Sequence, residues 1–342
     1  MEPTERPIEL GSSSKAERRM WGGLPGGGPP SRLLPAETTL GALLRVARFR
    51  SSLALSMPAL SALTLAWWEM GNAWNPLPIF FVLLGTLSSA LGMNLLTEFY
   101  DYRRSLMLSE QSSNLENTTG FDILVSGRVS PGFAHSIALF LLVLSGLSWS
   151  WAALLSGWPI FFFGALSLLL TCTYVAPPIA YAYRRPGLGE LGVWLNFGLL
   201  QMLIAYYAQT ATLTWTPFWL SIPFGLLAAL CVHNFNFIYH RRDWLIRKRT
   251  IVVQLGTERA VDLSAVLAVA VYVAFLLIAS LAVMPLRILI TLLALPTAIG
   301  VFQQIDRDIM DLYEGVALSR SSANATLLTS LLFCAILFLE RM

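Results

Sequence analysis

The sequence predicts an all-α integral membrane protein with about nine transmembrane helices in one bundle, and three observations carry that reading. Of 342 residues, 56% are hydrophobic and only 13% charged, where a soluble domain averages about 25% charged. The apolar residues arrive in runs, not in amphipathic stripes, and a run of about 20 residues crosses the hydrocarbon core of a bilayer. The basic residues, finally, fall almost wholly on one side once those runs are taken as alternating spans. Length alone would allow two soluble domains, but the runs favour a single membrane domain.

Residues 1–40 are expected to form a disordered cytoplasmic tail, and 41–342 the membrane domain. The tail is rich in Gly, Pro, Ser and Glu, including Gly26-Gly27-Gly28-Pro29-Pro30, and cannot bury enough surface to offset its conformational entropy. It lacks the apolar core and cleavage site of a signal peptide. No Lys-Ser or Lys-Thr follows the glycines, so they do not form a phosphate loop. Spans are expected near 52–68, 78–99, 133–152, 158–176, 191–208, 217–239, 262–284, 286–302 and 323–339, with Pro285 making a tight hairpin of the seventh and eighth. With the N-terminus in the cytoplasm, every Lys and Arg of the 23 except Arg287 and Arg341 falls in a cytoplasmic segment. That asymmetry is a positive-inside signal, and it places a multi-pass protein in the cell membrane. The longest cytoplasmic loop is expected over 102–130, and loops of that length often act as lids or binding loops. Chemistry is therefore expected at the cytoplasmic mouth.

Other classes fit poorly. No basic stripe interleaved with aromatics lies outside the membrane flanks, which argues against nucleic acid. Cys172, Cys231 and Cys334 are far apart and lie in apolar segments, so they read as inert thiols and not as a disulfide or zinc site. A transporter would be expected to show paired broken helices in an internal repeat, and none is visible. Trp67, Trp68, Trp74, Trp151 and Trp158 sit near span ends, as an interfacial belt requires.

Two helix ends carry the polar groups that stand out. Asn94, Glu98 and Asp101 fall at i, i+4 and i+7, on one face of the second span. A carboxylate in a spanning helix is costly, so it normally faces the bundle interior and has a partner; Arg103 or Arg104 is the bland choice. The sixth span ends with Asn236, Tyr239, His240 and Asp243 at spacings of three, four and seven, followed by Arg241, Arg242, Arg247, Lys248 and Arg249. The cluster reads in part as a topology anchor. Paired carboxylates backed by basic side chains also suit a metal-bridged diphosphate, since Mg²⁺ is commonly held by a few carboxylates plus substrate phosphates. His135 and His233 read as helix-packing residues, while His240 lies nearer the acids and is a possible base. Asp306, Asp308, Asp311 and Glu314 read as a solvated acidic loop.

In several places the chain resembles the UbiA superfamily of intramembrane prenyltransferases, most of all its 1,4-dihydroxy-2-naphthoate (menaquinone-pathway) branch. The stretch Asn94-Leu95-Leu96-Thr97-Glu98-Phe99-Tyr100-Asp101 is similar to that family's N-x-x-N-D-x-x-D. Leu124 to Pro131, Tyr174-Val175-Ala176-Pro177-Pro178 and Tyr183-Arg184-Arg185-Pro186-Gly187-Leu188-Gly189-Glu190 match in order. Asn236 to Asp243, with Lys248-Arg249-Thr250 and Leu255-Gly256, is similar to the second acidic motif and its tail. The resemblance implies transfer of a polyprenyl group from its diphosphate to a hydrophobic aromatic acceptor, with Mg²⁺ as Lewis acid and charge stabiliser. It implies metal ligation and catalysis by Glu98, Asp101 and Asp243. Substrate contacts would come from Asn94, Arg128, Tyr174, Arg184, Asn236, Arg241 and Lys248.

The chain also departs from that pattern. Ser105 and Met107 stand where a further Asp is expected, Tyr239 where the second motif begins with Asp, Thr97 for Asn and Glu98 for Asp. Arg247 replaces a glycine, and Asp122 stands where an Arg is expected and could supply a replacement ligand. Three carboxylates remain where five are usual, while Arg241, Arg242 and Arg247 are gained. Three readings stay open: one Mg²⁺ suffices, the donor differs, or catalysis has lapsed and the protein binds isoprenoid diphosphate or quinone, or serves as a membrane scaffold.

Overall fold

A computed structural model describes residues 39–71, 74–108, 123–124, 127–305, 310 and 312–341, and their regular structure is entirely helical. In chain order the helices are α1 (Thr39–Val46), α2 (Phe49–Met70), α3 (Pro76–Leu108), α4 (Pro131–Ser156) and α5 (Pro159–Thr173). Then come α6 (Leu188–Thr210), α7 (Trp215–Asn236), the short α8 (His240–Leu245) and α9 (Ile251–Leu255), α10 (Thr257–Ser280), α11 (Leu286–Gln303) and α12 (Leu312–Arg341). Helix α1 begins at Thr39, so the described fold starts two residues before the expected tail boundary; the tail up to residue 38 lies outside the described residues.

Seven of these helices, α3, α4, α6, α7, α10, α11 and α12, are long and apolar enough to cross a membrane. The other two expected spans are present as helices that do not join the seven. Helix α5 has only 15 residues. Helix α2 has 22 but carries Ser52, Ser56, Ser61 and Thr64 among its buried residues; it can be polar because it packs against α3, α6, α7 and α12 and is screened by them. Helix α3 runs nine residues past the span expected from hydropathy, so the first seven residues of the expected 102–130 loop are helical. Residues 109–122, Asp122 among them, lie outside the described residues, as do Asp306, Asp308 and Asp311. Helix α11 is wound largely as 3₁₀ turns over Leu286–Ala294 and Gly300–Gln303.

Burial separates inner from outer helices. The apolar stretches of α3, α6 and α7 are mostly buried, and those of α4, α10 and α11 mostly half-buried or exposed. Phe140, Leu154, Phe161, Val266 and Leu293 on the outer helices face outward, as expected where the solvent is lipid. Inside, Phe224 meets Phe275 and Phe333 edge-on at 5.5 and 5.3 Å. Helices α6 and α7 cross at Gly198 and Gly225: a methyl group on Gly198 would lie 2.4 Å from the Gly225 Cα.

A buried chain of neutral polar groups ties α3, α5 and α6 together. Thr86 donates to Gln201 Oε1 at 2.6 Å, and Gln201 Nε2 donates to Ser167 Oγ at 2.9 Å. Ser167 donates in turn to Asn196 Oδ1, and Asn196 Nδ2 donates to Thr171 Oγ1 at 2.8 Å. Ser89 closes the chain on Thr171 at 3.1 Å. Asn196 and Gln201 are five residues apart, a spacing that does not share a face in an α-helix. Residues Trp194–Leu200 form a π-helical turn, in which the Gln201 amide donates to the Asn196 carbonyl. The i→i+5 register turns both side chains to the same side.

Candidate functional site

The charged site forms between the last third of α3 and the end of α7. Helix α3 continues unbroken through Asp101, so Asn94, Glu98 and Asp101 share its inner face, and all three are buried. Helix α7 does not continue in the same way. It ends at Asn236, the chain turns through Phe237–Tyr239, and α8 starts again at His240. Gly315 of α12 packs into this turn: a methyl group there would sit 3.0 Å from the Ile238 nitrogen and 3.1 Å from its Cα.

The new helix sets a new phase. Arg242 and Asp243 face inward and are buried, while Arg241 and Trp244 are exposed on the opposite face. After α8 the chain reverses at Arg247, whose φ of 57° is left-handed. That conformation explains the glycine of the resembled motif at this position. The reversal lets the Lys248 amide donate to the Asp243 carbonyl at 2.8 Å and turns its side chain inward.

Arg242 is the centre of what results. Its Nη1 donates to Glu98 Oε2 at 3.2 Å, and its Nη2 donates to Asp101 Oδ2 at 2.7 Å and to Asp243 Oδ1 at 3.4 Å. Lys248 Nζ donates to Asp101 Oδ2 at 3.0 Å and stands 3.9 Å from Asp243 Oδ1. Arg48, in the left-handed turn before α2, donates through Nε to Glu98 Oε1 at 3.1 Å. The Tyr183 hydroxyl donates to Asp101 Oδ1. Rings complete the packing: the Arg242 guanidinium lies 4.0 Å from the Tyr239 centroid, Arg48 lies 3.7 Å from Phe235 and Arg104 lies 3.7 Å from Tyr183. Such cation–π contacts strengthen as water is excluded.

Electrostatics follow the geometry. Burial works against the charge on Arg242, but Asp101, Glu98 and Asp243 outweigh it and hold the guanidinium above its ordinary pKa. Burial, then Asp101, pushes the Tyr183 phenol well up, so it stays a donor. Burial raises the Asp243 carboxyl against the pull of Lys248 and Arg242. Its Oδ2 is buried and accepts no hydrogen bond from the described residues.

A cavity of about 10 Å³ opens beside the cluster, room for about one water. Arg48, Asn94, Tyr174, Asn236, Tyr239, Arg242, Asp243 and Lys248 are among its lining residues. Asn94 is held by donating to Ser52 Oγ at 2.8 Å, and Asn236 by donating to Glu190 Oε1 at 3.1 Å. Glu190 also lies 3.8 Å from His233 Nδ1, and His233 Nε2 is 3.0 Å from the Ala260 carbonyl.

Of the residues expected from sequence, Glu98, Asp101, Asp243, Asn94, Asn236, Tyr174 and Lys248 come together. Three do not join them. Arg184 is exposed and donates to the carbonyls of Ile179 and Pro178 at 2.6 and 2.7 Å. Arg128 is exposed in the turn before α4. Arg241 lines a separate open groove of about 380 Å³ with His240 and Trp244, on the far face of α8. His240 is hydrogen-bonded to the Phe237 carbonyl there, at 2.8 Å, which takes it away from the acids.

Sequence reasoning passed over Arg48, Tyr183 and the inward role of Arg242. For Arg242 a signal existed: Tyr239, Arg242 and Asp243 at i, i+3 and i+4 share a helical face that leaves Arg241 out.

The implied Mg²⁺ is tested by this donor set. Five of the six carboxylate oxygens of Glu98, Asp101 and Asp243 already face Arg48, Arg242, Lys248 or Tyr183. Among the described residues, no group of three Asp, Glu, His or Cys is arranged to hold a metal ion. As they stand, the residues do not fit Mg²⁺, because a guanidinium stands where the carboxylates converge.

Comparison with known proteins agrees with the fold. The chain is 28% identical over 167 residues to a 2-carboxy-1,4-naphthoquinone phytyltransferase from Synechocystis sp., covering 48% of this chain and 52% of that one. The alignment thus spans about half that relative's length. It is 27% identical over 280 residues to a 1,4-dihydroxy-2-naphthoate octaprenyltransferase from Escherichia coli, covering 81% and 88%. A solved UbiA homolog from Archaeoglobus fulgidus, bound to GPP and Mg²⁺, superposes with a TM-score of 0.57 at 18% identity, over 87% of this chain and 98% of that one. The model of the UbiA prenyltransferase family matches residues 55–309. With a helical bundle of that shape and three quarters of its length matched, the chain belongs to the UbiA prenyltransferase family.

Proposed function

We propose that the protein is a membrane prenyltransferase that moves a polyprenyl group from its diphosphate to an aromatic, naphthoate-like acceptor. The observation that carries this reading is the convergence of Arg48, Arg242 and Lys248 on one cavity at the end of an apolar bundle. Charged donors of this kind hold phosphate oxygens well, the guanidinium fork in two-point contact and the ammonium as a point charge. In the reaction the allylic C–O bond breaks and its electron pair leaves with the diphosphate. The allylic cation is captured by the π electrons of the acceptor ring, a C–C bond forms, and the ring recovers aromaticity by losing a proton to a base. Cations fixed beside the departing diphosphate stabilise the charge that develops on it. Tyr174, buried in the cavity wall, offers its ring to the allylic end, and the apolar helices offer a path for the isoprenoid tail. The related E. coli and Synechocystis proteins, by their names, act on naphthoate-type acceptors, which supports that choice. The one-sided basic residues support a cytoplasmic tail and a site at the cytoplasmic face of the cell membrane.

The reduced acid set, with Ser105, Met107 and Tyr239 where carboxylates are expected, favours a second reading, a lapsed relative that holds isoprenoid diphosphate or quinone without turning it over. One assay separates the two. Full-length protein in nanodiscs is incubated with geranyl diphosphate or longer donors and 1,4-dihydroxy-2-naphthoate, and products are read by mass spectrometry. A prenylated acceptor is expected; donor that stays intact across the whole panel would leave only the binding reading.

A further inference from the structure

Three cations and three carboxylates make up the cluster, so its formal charges cancel. They are not equally placed. Arg48, Arg242 and Lys248 line the cavity, and of the carboxylates only Asp243 does. Glu98 and Asp101 lie wholly buried, each 0% exposed, with Arg242 bonded to both. A divalent cation entering here meets three cationic side chains and a single carboxylate, Asp243, one oxygen of which accepts no hydrogen bond from the described residues. To reach two carboxylates it must displace a guanidinium that is itself buried, leaving that charge without its partners. An entering diphosphate meets the opposite situation, a wall of donors whose charge is already fixed and oriented. Arg104, over the outer face of the Tyr183 ring, adds a fourth positive charge nearby.

The sequence departures point the same way. Tyr239 replaces a carboxylate and gives its ring face to Arg242 at 4.0 Å, while Ser105 is buried and hydrogen-bonds only back to the Tyr102 carbonyl at 2.7 Å among the described residues.

We propose that this chain binds the diphosphate of its donor through Arg48, Arg242 and Lys248 without a divalent metal, Arg242 serving as the resident cation of the acidic pattern. The inference rests on the prenyl-donor reading above. Glu98 and Asp101 are then positioning residues, which orient Arg242 and Lys248.

The test is calorimetric binding of the non-hydrolysable analogue geranyl S-thiolodiphosphate to the full-length protein in nanodiscs, in EDTA and in excess Mg²⁺. The dissociation constants are expected to agree within about threefold. Asp243→Asn removes a negative charge from the cavity wall, so it is expected to bind the analogue in EDTA at least as tightly as the parent. Arg242→Gln is expected to weaken binding in EDTA by about tenfold or more. Because that variant leaves buried carboxylates exposed to one another and risks misfolding, the parent and Asp243→Asn carry the test without it. Binding that requires Mg²⁺, or that Asp243→Asn abolishes with Mg²⁺ present, overturns metal independence and leaves the prenyl-donor reading standing. Absence of binding in both conditions overturns the donor reading and this inference together.

Discussion

Two buried polar clusters sit within this bundle, and they have been built by opposite rules. The neutral chain from Thr86 through Gln201, Ser167 and Asn196 to Thr171 is closed: every member has a partner, and it lines neither cavity described here. The charged cluster around Arg242 is open: it borders a cavity and leaves one Asp243 oxygen without a hydrogen-bond partner among the described residues. Buried polar groups are normally satisfied. A cluster that is fully satisfied explains itself as a tie between helices, while one that presents Arg48, Arg242 and Lys248 to a cavity has capacity for a ligand. The difference separates structural polarity from functional polarity in a membrane interior, where both are expensive.

Substitutions can break that distinction, and they rank by size. Arg242→Ala should have the largest effect. It takes one cation from each of three buried carboxylates, and breaking buried ion pairs from one side costs about 3–5 kcal/mol; unfolding in mixed micelles would measure it, together with loss of analogue binding. Gln201→Ala should cost less, about 1–3 kcal/mol for the two hydrogen bonds lost with Thr86 and Ser167, and should leave analogue affinity unchanged. If it lowered affinity as much as stability, the two clusters would not be separable. Arg247→Gly should raise stability by about 1 kcal/mol by relieving a left-handed backbone, read as a higher unfolding midpoint with the Lys248 contacts kept. Arg241→Ala should change stability by less than about 0.5 kcal/mol and leave binding intact. A large effect there would place the anion on the outer groove of α8 and not in the cluster.

Much of this was legible in the sequence, and the exceptions share a cause. Seven of the nine expected spans appear as helices long and apolar enough to cross a membrane, a length that the bilayer sets and hydropathy therefore shows. Asn94, Glu98 and Asp101 converge because one unbroken helix carries them. The second acidic stretch was harder to read: its spacing suggested a continuation of α7, but the chain breaks after Asn236 and restarts at His240, and Arg242, not Arg241, reaches the site. That break is backed by Gly315, some 75 residues away in sequence, and no local propensity encodes it. Arg48 was invisible for the same reason, since its partners Glu98 and Phe235 are brought to it only by packing. The π turn in α6 is likewise imposed by the partners that Asn196 and Gln201 must reach.

The seat of Gly315 against Ile238 bears on how the protein is made. Every charged group of the cluster leaves the ribosome before α12 does, yet the bend that aims Arg242 gains its backing only when α12 docks. A chain stalled short of its last helix would own all the reactive side chains and still lack their arrangement. Competence for the reaction thereby becomes a late event in biogenesis, reached after the rest of the bundle has entered the bilayer.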